Sequence, residues 1–296
     1  MPIDLPIYRS PMFEDTTAPS FSVATPTLNA LAALKRCVGS VRGQTNVRVE
    51  HLVQDACSAD GTDRWLSRQQ DLFWRSERDK GMYDAINRAW SRSRGGIVSW
   101  LNADEQYLPG TLEQVRKHFD DHPDIDFLFG DALIIGTDGS LIAARREIRL
   151  SRAYLVNGFL NAYSCTMFFR RRLLDEGMLE LDTRYRYAAD LELILRLMKA
   201  GKRCARLPSY LSAFTFDGNN LSTHPRMLGE TLEIQNVHGR HPSQLVGRLT
   251  MLGRYAERWM TGSYRRADID YLFAGDEIPN YRLVSGRGVG GSYRTR

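Results

Sequence analysis

Carboxylate and hydroxyl side chains follow consecutive predicted strands in the first half of the chain. They fall in four segments: Thr25–Thr27, Asp55, Ser76–Asp79 and Asn102–Asp104. Because ligands of parallel α/β sheets bind beyond the carboxyl ends of the strands, we expect these side chains to share one cleft. A divalent cation that carries a diphosphate needs one or two protein carboxylates, and Asp104 is well placed to supply one. The pattern indicates nucleotide chemistry.

The elements that must position these side chains alternate between strand and helix. Short apolar runs predict strands at residues 21–25, 47–53, 72–74, 97–101 and 127–129. Apolar residues at spacings of three and four predict helices between them. We expect the first strand to end at Pro26. Such alternation predicts a mainly parallel sheet with helices on both faces. Farther on, Thr137–Gly139 predicts a hairpin turn, and a helix is expected after Asp190.

Composition and missing motifs exclude several classes of protein. The chain has 296 residues, of which 43% are hydrophobic and 25% charged, so it can bury a large core. Its four cysteines are scattered, which argues against a structural zinc site and suits a reducing cytosol. No P-loop, zinc-protease or serine-hydrolase motif is present. The glycine run at residues 286–291 has too little chain after it for the helix that a dinucleotide site needs.

Neither the N-terminal segment nor the most apolar long segment has the pattern of a secretion signal or of a membrane span. Residues 1–20 hold four prolines and no apolar run typical of a secretion signal, so we expect a flexible arm and a cytoplasmic protein. The segment 150–169 contains Arg152, Asn157 and Asn161, which makes it too polar to span a bilayer alone. We expect it to be buried or to line the cleft.

A series of motifs in a fixed order resembles family 2 glycosyltransferases, inverting enzymes with the GT-A fold. The motifs are Val23–Asn29, Glu50–Asp55, Ser58–Thr62, Ser76–Asn87, Trp100–Glu105, Gly130–Asp131 and Ala189–Arg196. The resemblance covers residues 21–222. It implies a Rossmann-like, mainly parallel sheet flanked by helices, with a nucleotide-binding half at 21–131 and an acceptor half at 132–222. Residues 223–296 would form a basic, helical C-terminal extension.

The resemblance also implies a reaction. The chain would move a sugar from a nucleoside diphosphate sugar, foremost a UDP-sugar, to a hydroxyl of a saccharide or lipid-linked acceptor. The setting would be bacterial cell-surface polysaccharide or glycolipid assembly. Mn²⁺ or Mg²⁺ would be bound by Asp104, with Glu105 and His224 as further candidate ligands. Asp190 would be the general base; the alternative for this residue is a plain helix N-cap.

Donor binding is assigned by the same resemblance. The implied residues are Thr25, Pro26, Thr27, Asn29, Asp55, Asp79, Lys80, Asp84, Asn87, Asn102 and Ala103. For Asp84 and Asn87 the alternative is an exposed helix face, and for Lys80 a solvated side chain. His224 could equally be a surface histidine.

A cluster of arginines follows the predicted hairpin. Arg145, Arg149 and Arg152 could hold a phosphorylated or acidic acceptor, because a guanidinium grips phosphate through two parallel hydrogen bonds. They could equally form a solvated flank.

Several positions depart from the family pattern. Asn102 stands where the family usually has the first Asp of an Asp-x-Asp motif, and Ala189 stands where an acidic residue often precedes the base. Ser164–Thr166 replaces a His-Gln or similar pair, which leaves the acceptor open. A catalytically degenerate domain that binds nucleotide sugars, or serves as a scaffold, is therefore an alternative. A nucleotidyltransferase would need a basic, glycine-rich loop after the first strand, and Thr25–Asn29 is not one.

The last quarter of the chain is basic. Residues 223–296 hold eleven arginines, no lysine and seven acidic residues. Apolar residues recur among the arginines of 225–262, which fits helices packed on the catalytic domain, on a second subunit or on an anionic membrane. Packing is the interpretation that we favour; peripheral membrane contact and a homo-oligomer stay open. No platform of aromatic residues accompanies the charge, so we expect no nucleic-acid partner.

Overall fold

The computed structural model describes residues 19–218, 220–275 and 281–288. Its strands are β1 (Phe21–Thr27), β2 (Val49–Asp55), β3 (Phe73–Ser76), β4 (Ile97–Trp100), β5 (Gln106–Tyr107), β6 (Phe127–Ile135), β7 (Leu141–Arg145), β8 (Phe168–Arg170), β9 (Cys204–Thr215), β10 (Ala267–Ala274) and β11 (Tyr281–Gly288). Its helices are α1 (Leu31–Arg42), α2 (Thr62–Leu66), α3 (Met82–Trp90), α4 (Thr111–Asp121), α5 (Arg152–Asn157), α6 (Arg171–Asp175), α7 (Ala189–Lys199), α8 (Arg226–Val237) and α9 (Gln244–Met260).

One large sheet runs through the molecule in the order β3-β2-β1-β4-β8-β6-β9-β5, with β7 added to β6. Strands β1 to β4 pair in parallel, as the alternating pattern predicts. Beyond β4 the sheet is mixed, because β8 runs antiparallel to both of its neighbours while β6 and β9 are parallel. The prediction of a mainly parallel sheet is confirmed, with short antiparallel pairings of β5, β7 and β8 added in the second half.

Strand β1 passes through Pro26 and ends at Thr27, which corrects the predicted end at the proline. Its pairing with β4 stops at Ala24, whereas its pairing with β2 continues to Thr27 opposite Asp55. A proline lacks the N–H that a ladder needs, but beyond Ala24 only one side of β1 is paired. The strand therefore carries Pro26 and Thr27 out to the edge where the other parallel strands end.

Strand β6 is longer than predicted, because Gly130 and Asp131 lie inside it. A Cβ on Gly130 would come within 2.4 Å of the Leu211 side chain, so only glycine fits beside β9 here. The β6 and β9 register shifts at Gly130 and Asp131, which marks a bulge. Asp131 accepts hydrogen bonds from Arg206 at 2.7 and 2.9 Å. The predicted hairpin between β6 and β7 is confirmed.

Two apolar layers cover the sheet. On one face Trp90, Trp100 and Phe169 stack together at centroid distances of 5.4 to 6.1 Å, under α3 and α7. Ile234 of α8 belongs to the same cluster, so this helix is part of the main core. The other face packs Phe21 and Phe168 against α1 and α4.

The C-terminal extension is helical over α8 and α9, as predicted, and then turns into a two-stranded hairpin that we did not predict. Strands β10 and β11 pair antiparallel, and Tyr271 and Phe273 pack against Leu133 and Ala144. Gly288 of the glycine run lies in β11, where a Cβ would come within 2.6 Å of Ala144. Gly286 and Gly288 thus lie where the strands approach closely. The predicted arm at residues 1–20 lies outside the described residues except for its last two, as do residues 289–296.

Four apolar residues of α9 do not pack on the catalytic domain, whereas α8 packs there as the favoured interpretation predicts. The side chains of Leu245, Leu249, Leu252 and Trp259 are between 58% and 76% exposed. Arg254 and Arg258 are the buried residues of this helix. Across the described ranges, we find no helix with both the length and the apolar character that a membrane span requires.

Candidate active site

A cavity of about 1270 Å³ opens where β1, β2 and β4 end. Its walls come from these strand ends, the start of α3, the segment 159–164, the residues around the start of α7 and the segment that follows β9. The expected convergence on one cleft is confirmed for the segments that follow β1 and β4 and for Asp79, whereas Asp55 does not line the cavity. The apolar segment 150–169 also behaves as predicted, because Phe159 to Ser164 line this cavity.

The turn after β4 presents Asp104 to the cavity. The Leu101 N–H donates to the Ala24 carbonyl at 2.9 Å, and the Thr215 hydroxyl donates to the Asp104 carbonyl at 2.5 Å. Burial, with the Asp217 carboxylate nearby, raises the pKa of Asp104 to about 6. Asp217 lines the same cavity and was not among the predicted ligands. The second carboxylate in the cavity is thus that of Asp217, in place of the predicted Glu105.

Glu105 has a different place from the one predicted. Its side chain is fully buried, and Oε2 accepts a hydrogen bond from the Asn102 N–H at 2.7 Å. Burial and the adjacent Asp104 raise its pKa to about 8. Glu105 therefore stabilises the turn from below and does not face the cavity, so it is removed from the candidate metal ligands.

Asp190 lies in the first turn of α7 and lines the cavity. The N-cap position belongs to Ala188, which excludes the N-cap role for Asp190. Oδ1 of Asp190 accepts hydrogen bonds from the Leu191 N–H at 2.8 Å and from the Tyr83 hydroxyl at 3.5 Å. Burial raises the pKa of Asp190 to about 6. A carboxylate with this pKa is a stronger base than an ordinary aspartate.

Glu230 of α8 holds the backbone that leads into Asp190. Its carboxylate accepts from the N–H groups of Arg186, Tyr187 and Ala188 at 2.7 to 3.1 Å. These three N–H groups precede α7 and have no partner within it. The sequence gives no local signal for this contact, because it joins residues more than 40 positions apart.

The predicted donor residues divide into two groups. Those that line the cavity are Pro26, Thr27, Asp79, Asn102 and Ala103. Burial raises the pKa of Asp79, whose Oδ1 accepts from the Gly81 N–H at 2.8 Å. The Oδ1 atom of Asn102 is buried and has no hydrogen-bond partner in the described part of the chain. An acceptor atom left open in this way fits a bound ligand.

The remaining predicted donor residues support the cavity from behind. Thr25 is buried and its hydroxyl lies 2.9 Å from His51 Nε2. Asp55 is fully buried and accepts from the Ser58 and Ser76 hydroxyls at 2.5 Å each. Its expected contact with the nucleotide base is therefore not available in this structure.

Three further donor predictions are also corrected. The Asn29 side chain accepts from the Ala59 N–H at 2.8 Å and thereby closes the loop after β1. Asp84 accepts from the Lys80 N–H and pairs with Arg88, each at 2.9 Å. Asn87 bonds to both the N–H and the carbonyl of Leu181, at 2.9 and 2.7 Å. These side chains, and the exposed Lys80, lie outside the cavity lining.

Of the predicted acceptor arginines, only Arg145 lines the cavity. Arg149 is 80% exposed and pairs with Glu257 at 3.5 Å. Arg152 donates to the His238 carbonyl at 2.5 Å, at the end of α8. His224 is exposed and stacks on Tyr187, with ring centroids 4.3 Å apart. Among the described residues, His224 belongs to no group of three or more His, Cys, Asp or Glu side chains that could hold a metal ion, and its predicted role in metal binding stays a prediction.

The residues present fit a divalent cation that is shared with a diphosphate. Within the ranges given above, no group of three or more His, Cys, Asp or Glu side chains could enclose an ion alone. Asp104 and Asp217 offer two carboxylates to the cavity, and Mg²⁺ is usually bound through one or two carboxylates with phosphate oxygens and water. The hard oxygen donors suit Mg²⁺ or Mn²⁺.

Comparison with known proteins identifies relatives of the chain. Residues 22–177 match the family model described as Glycosyl transferase family 2. An uncharacterized glycosyltransferase of Mycobacterium tuberculosis (strain H37Rv) is 28% identical over 237 residues, covering 77% of this chain and 87% of the relative. A PGL/p-HBAD biosynthesis glycosyltransferase of Mycobacterium bovis (strain BCG) is 30% identical over 189 residues, covering 60% and 70%.

Solved structures agree with this assignment at the level of fold. TarS of S. aureus (residues 1–349, with UDP-GlcNAc) superposes with a TM-score of 0.60 at 18% identity, over 81% of this chain and 73% of that one. The mannosyltransferase PcManGT from Pyrobaculum calidifontis, with GDP-Man and Mn²⁺, gives 0.52 at 17% identity, over 86% and 84%. The predicted GT-A fold is confirmed.

Proposed function

Because the chain belongs to glycosyl transferase family 2, and is a glycosyltransferase, we propose that it catalyses a metal-dependent, inverting transfer from a nucleoside diphosphate sugar. The observation that carries the proposal is the presence of Asp104 and Asp190 in one cavity, each half-buried and each with its pKa raised to about 6. Asp104 can bind the cation that accompanies the leaving diphosphate, while Asp190 can accept the proton of the incoming hydroxyl.

Asp190 acts as the general base. The acceptor oxygen forms a bond to C1 of the sugar as the bond between C1 and the diphosphate oxygen breaks, and the hydroxyl proton passes to Asp190. A single displacement of this kind inverts the configuration at C1. The hydrogen bond from the Leu191 N–H fixes Oδ1, and Glu230 fixes the backbone before the helix, so the base is held in place before the acceptor arrives.

Asp104 and Asp217 would hold the cation. When bound, Mn²⁺ or Mg²⁺ would neutralise charge on the departing diphosphate. The Thr215 hydroxyl and the buried Glu105 keep the Asp104 turn in shape. Burial, with a neighbouring carboxylate in each case, raises the pKa of Asp104 to about 6 and that of Glu105 to about 8, and a cation beside Asp104 would favour its ionised form.

For the donor we propose a UDP-sugar. The fold neighbour TarS was solved with UDP-GlcNAc, and PcManGT with GDP-Man. Pro26, Thr27 and Asp79 line the part of the cavity next to the parallel strands, where the nucleotide would lie. For the setting we propose cell-surface glycolipid or polysaccharide assembly in the cytoplasm, in keeping with the PGL/p-HBAD biosynthesis relative.

We also propose that α9 contacts the cytoplasmic face of an anionic membrane. Leu245, Leu249 and Trp259 form an exposed stripe, and arginines are exposed around it. These arginines are Arg240, Arg248, Arg265 and Arg266. An apolar face with a basic border is the pattern of helices that lie in the membrane interface. Such a contact would bring the cavity close to a lipid-linked acceptor.

Metal-dependent donor binding tests the proposed function. We expect UDP to bind the wild-type protein in the presence of Mn²⁺ and to lose most of its affinity with EDTA. Asp104→Ala should bind UDP equally weakly with and without Mn²⁺, measured by isothermal titration calorimetry. Asp175→Asn, an exposed change on α6, is the control and should bind as the wild type does. Equal affinity of Asp104→Ala and wild type in Mn²⁺ would refute the metal role.

A catalytically degenerate domain would give a different result in the same samples. It would bind UDP with Mn²⁺ but would release no UDP from UDP-sugars over time, with or without acceptor. Asn102 in the turn motivates this alternative, while the placement of Asp190 in the cavity supports catalysis.

A further inference from the structure

Three arginines meet at the end of the cavity formed by Arg145, Glu147 and Phe159. Arg145 lines the cavity from the end of β7. Arg254 and Arg258 reach the same place from α9, where they are 1% and 3% exposed. We call Arg145, Arg254 and Arg258 the arginine cluster. Arg254 and Arg258 were not predicted as site residues, because their spacing on the chain suggests only a charged helix face.

The arginine cluster surrounds one buried carboxylate, that of Glu147. The Arg258 guanidinium donates to Glu147 Oε2 at 2.7 Å, and Arg145 lies 3.5 Å from Oε1 of the same carboxylate. Arg254 stacks on the Phe159 ring with its guanidinium carbon 3.5 Å from the ring centre. Burial lowers the pKa of Arg254 to about 10, a value at which it still carries its charge at neutral pH. Glu147 thus contacts Arg145 and Arg258, whereas Arg254 has no hydrogen-bonded carboxylate among the described residues.

Arg254 also has open hydrogen-bond donors. Its Nε, Nη1 and Nη2 atoms are buried, and none of them has a hydrogen-bond partner in the described chain. Nη2 of Arg258 is in the same condition. Burying a cation without hydrogen bonds is unfavourable, so such groups are usually completed by a counter-charge. The cation–π contact with Phe159 compensates only part of this cost.

We propose that this end of the cavity binds an anionic group of the acceptor, a phosphate or a carboxylate. The inference rests on the proposed function, because it places the acceptor in the same cavity as Asp190. Arg145 contacts the anion at the cavity surface, and Arg254 and Arg258 supply charge from the wall behind it. Guanidinium groups bind oxyanions through paired, charge-assisted hydrogen bonds, and the surrounding burial strengthens the interaction.

An anion bound at this end of the cavity would also account for the burial of Arg254 and Arg258 on the inner face of α9. The charges are retained on the side that meets the cavity wall, while the leucines of the helix stay outside.

Titration with small anions tests the proposal. The probes are inorganic phosphate and glucuronate, added at constant ionic strength to protein already saturated with UDP and Mn²⁺. We expect saturable binding of at least one probe, and the stronger of the two names the anionic group. Arg145→Gln should weaken that binding at least tenfold, Arg145→Lys less, and Arg149→Gln not at all, because Arg149 lies outside the cavity lining.

The affinity for UDP distinguishes a failure of the anionic subsite from a failure of the proposed transferase function. If wild-type protein binds UDP but neither probe, or if Arg145→Gln binds the probe as tightly as wild type, the anionic subsite is wrong and the transferase is untouched. If wild-type protein does not bind UDP, the proposed function fails first. Retained UDP affinity in Arg145→Gln shows that this variant is folded. Arg254→Met is a second variant, expected to weaken the probe without affecting UDP.

Discussion

Helices α7 and α9 are both amphipathic, yet they are oriented in opposite senses relative to the protein. Helix α7 buries Leu193, Leu195 and Leu197 in the main core, and its last charged residues, Arg196 and Lys199, are half-buried and exposed. Helix α9 buries Arg254 and Arg258 and leaves its leucines exposed. Periodicity in a sequence predicts that a helix has two faces. It does not predict which face packs against the protein when one face is apolar and the other carries arginines with a buried acidic partner.

The way α9 is attached makes its orientation intelligible. Tyr154 of α5 donates to Glu257 at 2.8 Å, and Arg258 pairs with Glu147. A Cβ on Gly158 would meet Met251 Sδ within 2.5 Å, so the helix lies close to the end of α5. Polar and charged contacts hold α9, whereas α7 is held by apolar burial. The polar attachment of α9 leaves its leucines exposed to solvent, whereas the apolar attachment of α7 buries its leucines.

The largest effect is expected in the first turn of α7. Asp190→Asn should lower kcat by about 10² to 10⁴-fold, the usual scale for a lost general base, while UDP affinity is unchanged. The variant should also be more stable. The pKa of Asp190 is raised from 3.8 to about 6, so ionised Asp190 costs the fold about 1 to 3 kcal/mol at pH 7. We expect a higher Tm at pH 7 with no rise at pH 4.

The sign of this stability effect follows from linkage. A raised pKa favours the folded state while the carboxyl is protonated, below about pH 4, and this contribution is lost as the pH rises through about 6. In the same range kcat/KM of the wild type should fall tenfold per unit below pH 6, because the base is protonated. Glu192→Gln, on the same helix, is the control for both measurements. A destabilised but active Asp190→Asn would return Asp190 to a structural role.

The contrast between the two leucine faces is the next largest effect. Leu195→Ala should cost about 2 to 5 kcal/mol of unfolding free energy, because it leaves a cavity in the core. Leu249→Ala should change it by less than about 0.5 kcal/mol, because the side chain is 58% exposed. Urea unfolding of both variants checks this. A loss above 2 kcal/mol in Leu249→Ala would show that the α9 leucines are covered, for instance by a second subunit.

The sequence predicts the regular parts of this molecule well. The first four strands, the helices between them and the convergence of Pro26, Asn102 and Asp104 on one cavity follow from local patterns and motif order. What could not be predicted depends on contacts between distant segments. Glu230, on another helix, accepts hydrogen bonds from the backbone that precedes Asp190. Asp55 is a plausible ligand by its position, but its carboxylate accepts hydrogen bonds from the hydroxyls of Ser58 and Ser76. The β10–β11 hairpin is fixed by packing on β7.

The smallest effect concerns the surface that α9 leaves exposed. We expect the protein to co-sediment with phosphatidylglycerol vesicles at low salt and to be released at about 1 M salt, where the screening length falls to about 3 Å. Each arginine near an anionic surface contributes about 1 kcal/mol, and the apolar stripe adds its own burial. Leu249→Ser with Trp259→Ser should reduce binding about tenfold. Leu283→Ser removes an equally exposed leucine from β11 and should have no effect. Equal binding to neutral vesicles, or an α9-dependent dimer seen by light scattering in the absence of lipid, would assign the exposed face to another partner and leave the inward arginines as the functional side of the helix.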